Sequence, residues 1–136
     1  MQVIGFNLTK ILVEREEKID GKLEVKQNID VNDVSKEKIP FSEGEAIKVK
    51  FNFTVTYDPN FAKLNFEGHL IIIVDKEETK KFLKSWKDKK LPDETKVSLF
   101  NFIMSKCNIK ALNLEDELSL PLHVPMPRIN PNNQQN

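Results

Sequence analysis

Residues 46–57 read AIKVKFNFTVTY. The odd positions, Ile47, Val49, Phe51, Phe53, Val55 and Tyr57, are apolar; the even positions, Lys48, Lys50, Asn52, Thr54 and Thr56, are polar. Successive side chains of a strand point to opposite faces, so this segment buries one face and wets the other, as antiparallel sheets do. Asp58-Pro59-Asn60 follows as a turn signal, because proline presets φ and Asp and Asn side chains bond nearby backbone. A second strand is expected from Phe61 to about Val74. It places Ala62, Leu64 and Phe66 on one face and ends in the wholly apolar Leu70–Val74, which needs cover on both faces. Together the two strands read as a long hairpin.

Two weaker strands precede them. Val3 to Glu14 sets Ile4, Phe6, Leu8 and Leu12 against Val3, Ile11 and Val13, and Lys22 to Asp33 carries Leu23, Val25, Ile29 and Val31 on one face. Asp20-Gly21 between them is a tight-turn dipeptide. Ser35 to Glu45, with Pro40 and Gly44, reads as a polar connection. Four sequential strands joined by turns predict a four-stranded antiparallel meander.

After Asp75 the period becomes helical. Lys76 to Lys90 clusters Phe82, Leu83 and Trp86 on one side of a short amphipathic helix, which Leu91-Pro92-Asp93 ends. In the next helix Val97, Phe100, Met104, Cys107, Ala111, Leu114 and Leu118 recur at spacings of three and four. This predicts an apolar stripe over about 22 residues, roughly 33 Å long. Pro121 must end it. Leu120 to Ile129, with Pro121, Pro125 and Pro127, is expected to run extended along the surface, and residues 130–136 to be a disordered polar tail. The fold class is therefore α+β: a four-stranded antiparallel sheet with a short amphipathic helix and one long C-terminal helix packed on it, in a single domain over residues 1–129.

The composition narrows the function. The 136 residues carry 21 Lys and Arg against 21 Asp and Glu, so the formal net charge is zero, unlike the basic excess of general nucleic-acid binders. Hydrophobic residues make up 39% and charged residues 31%, which is neither a disordered nor a membrane-spanning composition. The longest apolar run, Leu70–Val74, is far short of the roughly 20 residues a membrane helix needs. The start MQVIGFNLTK has no basic, apolar and small-residue progression of a signal peptide, and the single Cys107 excludes an internal disulfide. A cytoplasmic protein is expected.

The inventory for chemistry is thin. His69, His123 and Cys107 are too few for a four-ligand Cys/His zinc site, and no Gly-rich phosphate loop, HExxH or GxSxG occurs. No catalytic residue, metal or cofactor is expected. His69 and Cys107 could form a nucleophile–base pair, but a cysteine within the apolar stripe reads as a small buried hydrophobe. The sequons at Asn7 and Asn52 fall inside expected strands and are chance matches. Residues 75–90 carry seven lysines against four acids beside Trp86, which could hold RNA phosphates and stack a base; a solvated helix face is the simpler reading.

The order of elements resembles the SecB family of export chaperones. The strands Lys22–Asp33 and Ala46–Tyr57, with the run Phe53-Thr54-Val55-Thr56, are similar to that family's second and third strands. Residues 99–107, LFNFIMSKC, resemble its main helix, and residues 120–125, LPLHVP, its LPPL-x-L type of ending. The resemblance spans about residues 3–129. It implies an ATP-independent holdase that takes unfolded chains into apolar grooves bounded by sheet and helix. It also implies a dimer of dimers, with helices sandwiched between sheets and first strands joined across subunits. The export chaperones carry an acidic surface and tail that dock the SecA motor, whereas this chain is neutral and its tail amide-rich. Some SecB-like proteins instead chaperone an antitoxin, so the shared property is client binding and not one pathway.

Three functions from different classes follow. The first is a non-enzymatic holdase for unfolded or partner polypeptide; the second is a structural or adaptor subunit with one dedicated partner; the third is an RNA-associated protein. Phe51 and Phe53 belong to the core. Phe6, Phe41, Phe61, Phe66 and Trp86 are the candidate peptide-binding residues, because an exposed aromatic patch marks a protein-binding surface. One sheet face covers only about half of the long helix, so Phe102, Ile109 and Leu112 are the candidate interface of a homo-oligomer.

Overall fold

The computed structural model describes residues 1–19, 21–39 and 45–131. Its elements are β1 (Gln2–Arg15), β2 (Glu24–Glu37), β3 (Glu45–Asp58), β4 (Ala62–Val74), α1 (Lys76–Lys87) and α2 (Asp93–Glu117). The four strands form one antiparallel sheet, as expected, and β3 and β4 form the expected hairpin.

The strand order corrects the meander. The sheet runs β1-β4-β3-β2, so β2, β3 and β4 meander and β1 lies beside β4 at the far edge. This is a Greek-key order read from the other end of the chain. Burial follows this order: β3 and β4 are the most deeply buried strands and hold the two central places, with the more exposed β1 and β2 as edges. β1 and β2 are therefore not paired as a hairpin, and Asp20 of the expected turn lies outside the described residues. The chain leaves β1 beside the β3–β4 turn, where the Glu16 N–H donates to the Phe61 carbonyl at 2.8 Å and Lys18 and Leu23 border Pro59 and Asn60. Gly21 sits at φ +85°, the left-handed region that a residue without Cβ enters freely.

The inward face of β3 is fully sealed: Ile47, Val49, Phe51, Phe53, Val55 and Tyr57 expose nothing. Their neighbours Leu64, Phe66, Leu70 and Ile72 on β4 complete the floor on which α2 rests. β1 carries two register shifts, between Val3 and Gly5 and between Leu8 and Lys10, and β2 carries one, between Val31 and Asp33. Such bulges bend and twist the strands locally. β2 runs past Asp33 to Glu37; of the polar connection expected after it, residues 40–44 lie outside the described residues.

α1 starts as its sequence dictates. The Asp75 carboxylate accepts from the Glu78 N–H at 2.8 Å, Glu77 and Glu78 occupy the positive first turn, and Lys84 and Lys87 the negative last one. Its buried residues are Thr79 and Phe82. α2 buries Leu99, Ile103, Cys107, Ala111 and Glu115, a single ridge of residues four apart. The expected stripe is thus offset. Val97 is 65% exposed, and Phe100, Met104, Leu114 and Leu118 flank the ridge half-buried. α2 stops before Pro121, as expected, with Ser119 at φ +55°, the Ser119 N–H on the Asp116 carbonyl and the Leu120 N–H on the Glu115 carbonyl. That pair of bonds is a Schellman C-cap. Beyond Val124 the tail is exposed through Pro131, and Met126 and Ile129 are not tucked against the body; residues 132–136 lie outside the described residues.

Candidate polypeptide-binding grooves

A single helix is narrower than four strands, so α2 leaves a flank of sheet uncovered on each side. Toward β2, Ile29 and Val31 from the strand, Trp86 from α1, Leu91 from the connection and Phe100 from α2 line a groove of ≈ 430 Å³. It continues along Gln27, Ile29, Phe100 and Met104. Ile29, Val31, Trp86, Phe100 and Met104 are all half-buried, anchored in the body yet open to an incoming chain. Lysines rim this groove: Lys89 Nζ lies 4.9 Å from the Trp86 ring centre and Lys96 Nζ 5.7 Å from that of Phe100. The outer edge of β2 meets no strand among the described residues, so its backbone is free to pair with an extended segment.

Toward β1 the second flank is aromatic. Phe6 stacks on Phe51 at 5.5 Å and meets Phe102 edge-on at 6.0 Å. Lys106 Nζ lies 5.8 Å from the Phe102 ring. Further along β1, Ile11 is 48% exposed; on the side of α2 turned from the sheet Ile109 is 73% exposed, and Leu112 beside it is half-buried.

The structure thus separates the expected binding residues. Trp86 lines the β2 groove and Phe6 the β1 flank, on opposite sides of α2. Phe66 is fully buried, stacked on Phe53 at 5.6 Å, because its β4 position faces the helix. Phe61 is 4% exposed in the β3–β4 turn beneath the Arg15 guanidinium, 4.9 Å from its ring centre. Neither offers a surface to a client, which corrects their assignment. Phe41 lies outside the described residues. Phe100, Met104, Ile29, Val31 and Leu91 line the groove although the sequence reading gave them no binding role. Phe100 and Met104 were legible only through their offset of one from Leu99 and Ile103.

A buried polar cluster closes the end of α2. The Glu115 and His123 side chains are sealed from solvent, with Nδ1 of His123 2.6 Å from Oε2 of Glu115. The His123 backbone N–H donates to Glu115 Oε1 at 2.9 Å, and the ring Nε2 lies 2.8 Å from Asn108 Oδ1. The Tyr57 hydroxyl donates to the Pro121 carbonyl. Burial first, and then the Glu115 carboxylate, raise the Tyr57 pKa far above its ordinary value and keep it neutral. Arg15 adds a bond from outside, Nη1 donating to the Leu118 carbonyl at 2.7 Å, where a cation suits the helix C-terminus.

His69 and Cys107 do not meet. Cys107 faces the sheet from α2, and burial pushes its thiol up to about 12, away from reactive thiolate. His69 pairs with Lys50 and Asn7 on the outer face of the sheet, where burial, then Lys48, lowers its pKa. No helix among the described residues is long and apolar enough to cross a membrane.

The four-stranded antiparallel sheet with the long helix laid across it is a SecB-like fold. A solved structure with which the chain shares it is the SecB-like chaperone Rv1957 of Mycobacterium tuberculosis, in complex with a ChAD peptide from the Rv1956 HigA1 antitoxin. The TM-score is 0.52 at 12% sequence identity, over 95% of this chain and 89% of that one. No family model and no curated protein sequence matches the chain.

Proposed function

We propose that this protein is an ATP-independent, non-enzymatic chaperone that holds apolar segments of unfolded or partner polypeptide. The observation that carries the reading is the β2 groove, where half-buried Trp86, Phe100, Ile29 and Val31 stand open beside a strand edge that meets no other strand among the described residues. A client chain would seat apolar side chains against these residues and add its backbone to β2. The likeness to a peptide-bound SecB-like chaperone supports this. The protein acts in the cytoplasm as a homo-oligomer, with Phe102, Ile109 and Leu112 as the interface between copies. The test is suppression of aggregation of an unrelated unfolded protein at stoichiometric amounts without nucleotide. Phe100→Asp should abolish it while leaving the fold intact. Failure to suppress, with co-purification of one stable partner, would instead mark a dedicated adaptor subunit.

A further inference from the structure

The β2 groove is apolar at its floor and cationic at its rim. Lys89 and Lys96 lie over the two aromatic rings that line it, and Lys90 stands between Lys89 and the groove residue Leu91. The ion pairs among the described residues engage none of these three lysines. Asp30 and Asp93 are the groove's carboxylates, and Asp30 Oδ2 already accepts from Asn28 Nδ2 at 2.9 Å. The rim therefore offers spare positive charge beside the places where client side chains would sit. An ammonium over a ring is also readily shared with a carboxylate arriving at the ring edge.

We propose that this groove selects polypeptide segments in which bulky apolar residues are flanked by carboxylates, the apolar side chains seated on Trp86 and Phe100 and the carboxylates held by Lys89, Lys90 and Lys96. The proposal rests on the polypeptide-binding reading above and gives it a client class. A nucleic acid fits the same site less well. Asp93 and Asp30 oppose a continuous phosphate chain, and Lys89 occupies a face of the Trp86 ring on which a base would stack.

The test uses two short labelled peptides with one aromatic core, flanked by aspartates in one and lysines in the other, with binding followed by anisotropy and by Trp86 fluorescence. The aspartate-flanked peptide should bind about tenfold tighter in about 50 mM salt, and the difference should vanish near 0.5 M. The variant K89E/K90E/K96E should reverse the order at low salt and keep the high-salt affinity. Phe100→Asp should weaken both peptides. Equal binding of the two peptides at low salt overturns the proposal and leaves the groove itself standing. Binding of neither overturns the groove reading and the proposal with it. An oligouridylate that displaces the aspartate-flanked peptide from the intact protein overturns it in favour of nucleic acid.

Discussion

Nδ1 of His123 lies 2.6 Å from the Glu115 carboxylate, and both side chains are sealed inside the protein. Glu115 is the last residue of the ridge Leu99, Ile103, Cys107, Ala111 that α2 presses on the sheet. His123 lies on the extended segment beyond the helix. Their contact, with the bond from the His123 backbone to the same carboxylate, folds the tail back onto α2 and fixes where the chain leaves the body.

His123→Ala should therefore be costly, since it strands a buried carboxylate. A loss of about 3 kcal/mol is expected from chemical denaturation, with faster amide exchange over residues 120–124. Glu115→Gln, which keeps an acceptor for the His123 N–H, should cost less. Replacing both by leucine should recover much of the loss, because a buried pair exchanged for apolar side chains is often close to neutral. A His123→Ala variant as stable as the parent would remove the latch from the account.

At Gly68 the backbone of β1 leaves no room for a side chain on β4. A Cβ added there would lie 2.4 Å from the Asn7 carbonyl oxygen and 3.1 Å from Leu8 Cα, both backbone atoms. Gly68→Ala should force β1 outward and cost about 2 kcal/mol in thermal or denaturant unfolding. Gly5→Ala, on the paired strand, meets only Ile71 side-chain atoms at 3.8 Å and beyond and should change stability by less than about 0.5 kcal/mol. Equal effects of the two substitutions would contradict the register of β1 on β4.

The alternation of β3 was readable because every inward residue from Ile47 to Tyr57 is buried and every outward one from Lys48 to Thr56 is polar, so a single physical rule acts without competition. The partner of β1 was not readable, since local signals name turns and not neighbours. Gly21 does enter the left-handed region, but the connection it belongs to joins two strands that are not neighbours, because β4 and β3 lie between them. The face of α2 misled for a related reason. Phe100, Phe102, Met104, Ile109 and Leu112 surround the ridge with apolar residues, and spacing alone cannot rank them. Glu115 escaped notice because an isolated carboxylate reads as solvated until His123 is brought beside it by the turn at Ser119. Trp86 and Phe6 were singled out by type, whereas the rest of the groove depends on how far α2 extends over the sheet.

Cys107 sets an alkaline limit. Its thiol, fully buried, rises from 9.0 to about 12 in the folded chain. A raised folded pKa means that the stabilisation is complete below the unfolded value and is lost as pH climbs through the window from about 9 to 12. Within that window Cys107→Ala should flatten the fall in unfolding free energy by about 1.4 kcal/mol per pH unit, and neutral Tyr57 should leave part of the slope in place. At pH 8 the native thiol should resist alkylation and react only on unfolding. Rapid labelling of the folded protein would show that Cys107 is not held in the core as described.

Ile109 is 73% exposed on the side of α2 turned from the sheet, seven residues after Phe102 and three before Leu112. On a helix these spacings put all three on one side. Phe102 is already braced against Phe6, so the patch is partly rigid before any second copy arrives. Burying it between two protomers would cover apolar surface that a lone molecule leaves wet, and a charge at its centre would be expensive to desolvate. Ile109→Asp should accordingly lower the mass in solution, measured by sedimentation or light scattering, to that of one chain, with little change in the melting temperature of the monomer. Val97→Asp, at 65% exposure near the start of the same helix but away from this patch, should leave the mass unaltered. A parent protein that is already a monomer at high concentration would exclude the interface outright, and the patch would then be counted with the surfaces open to a client.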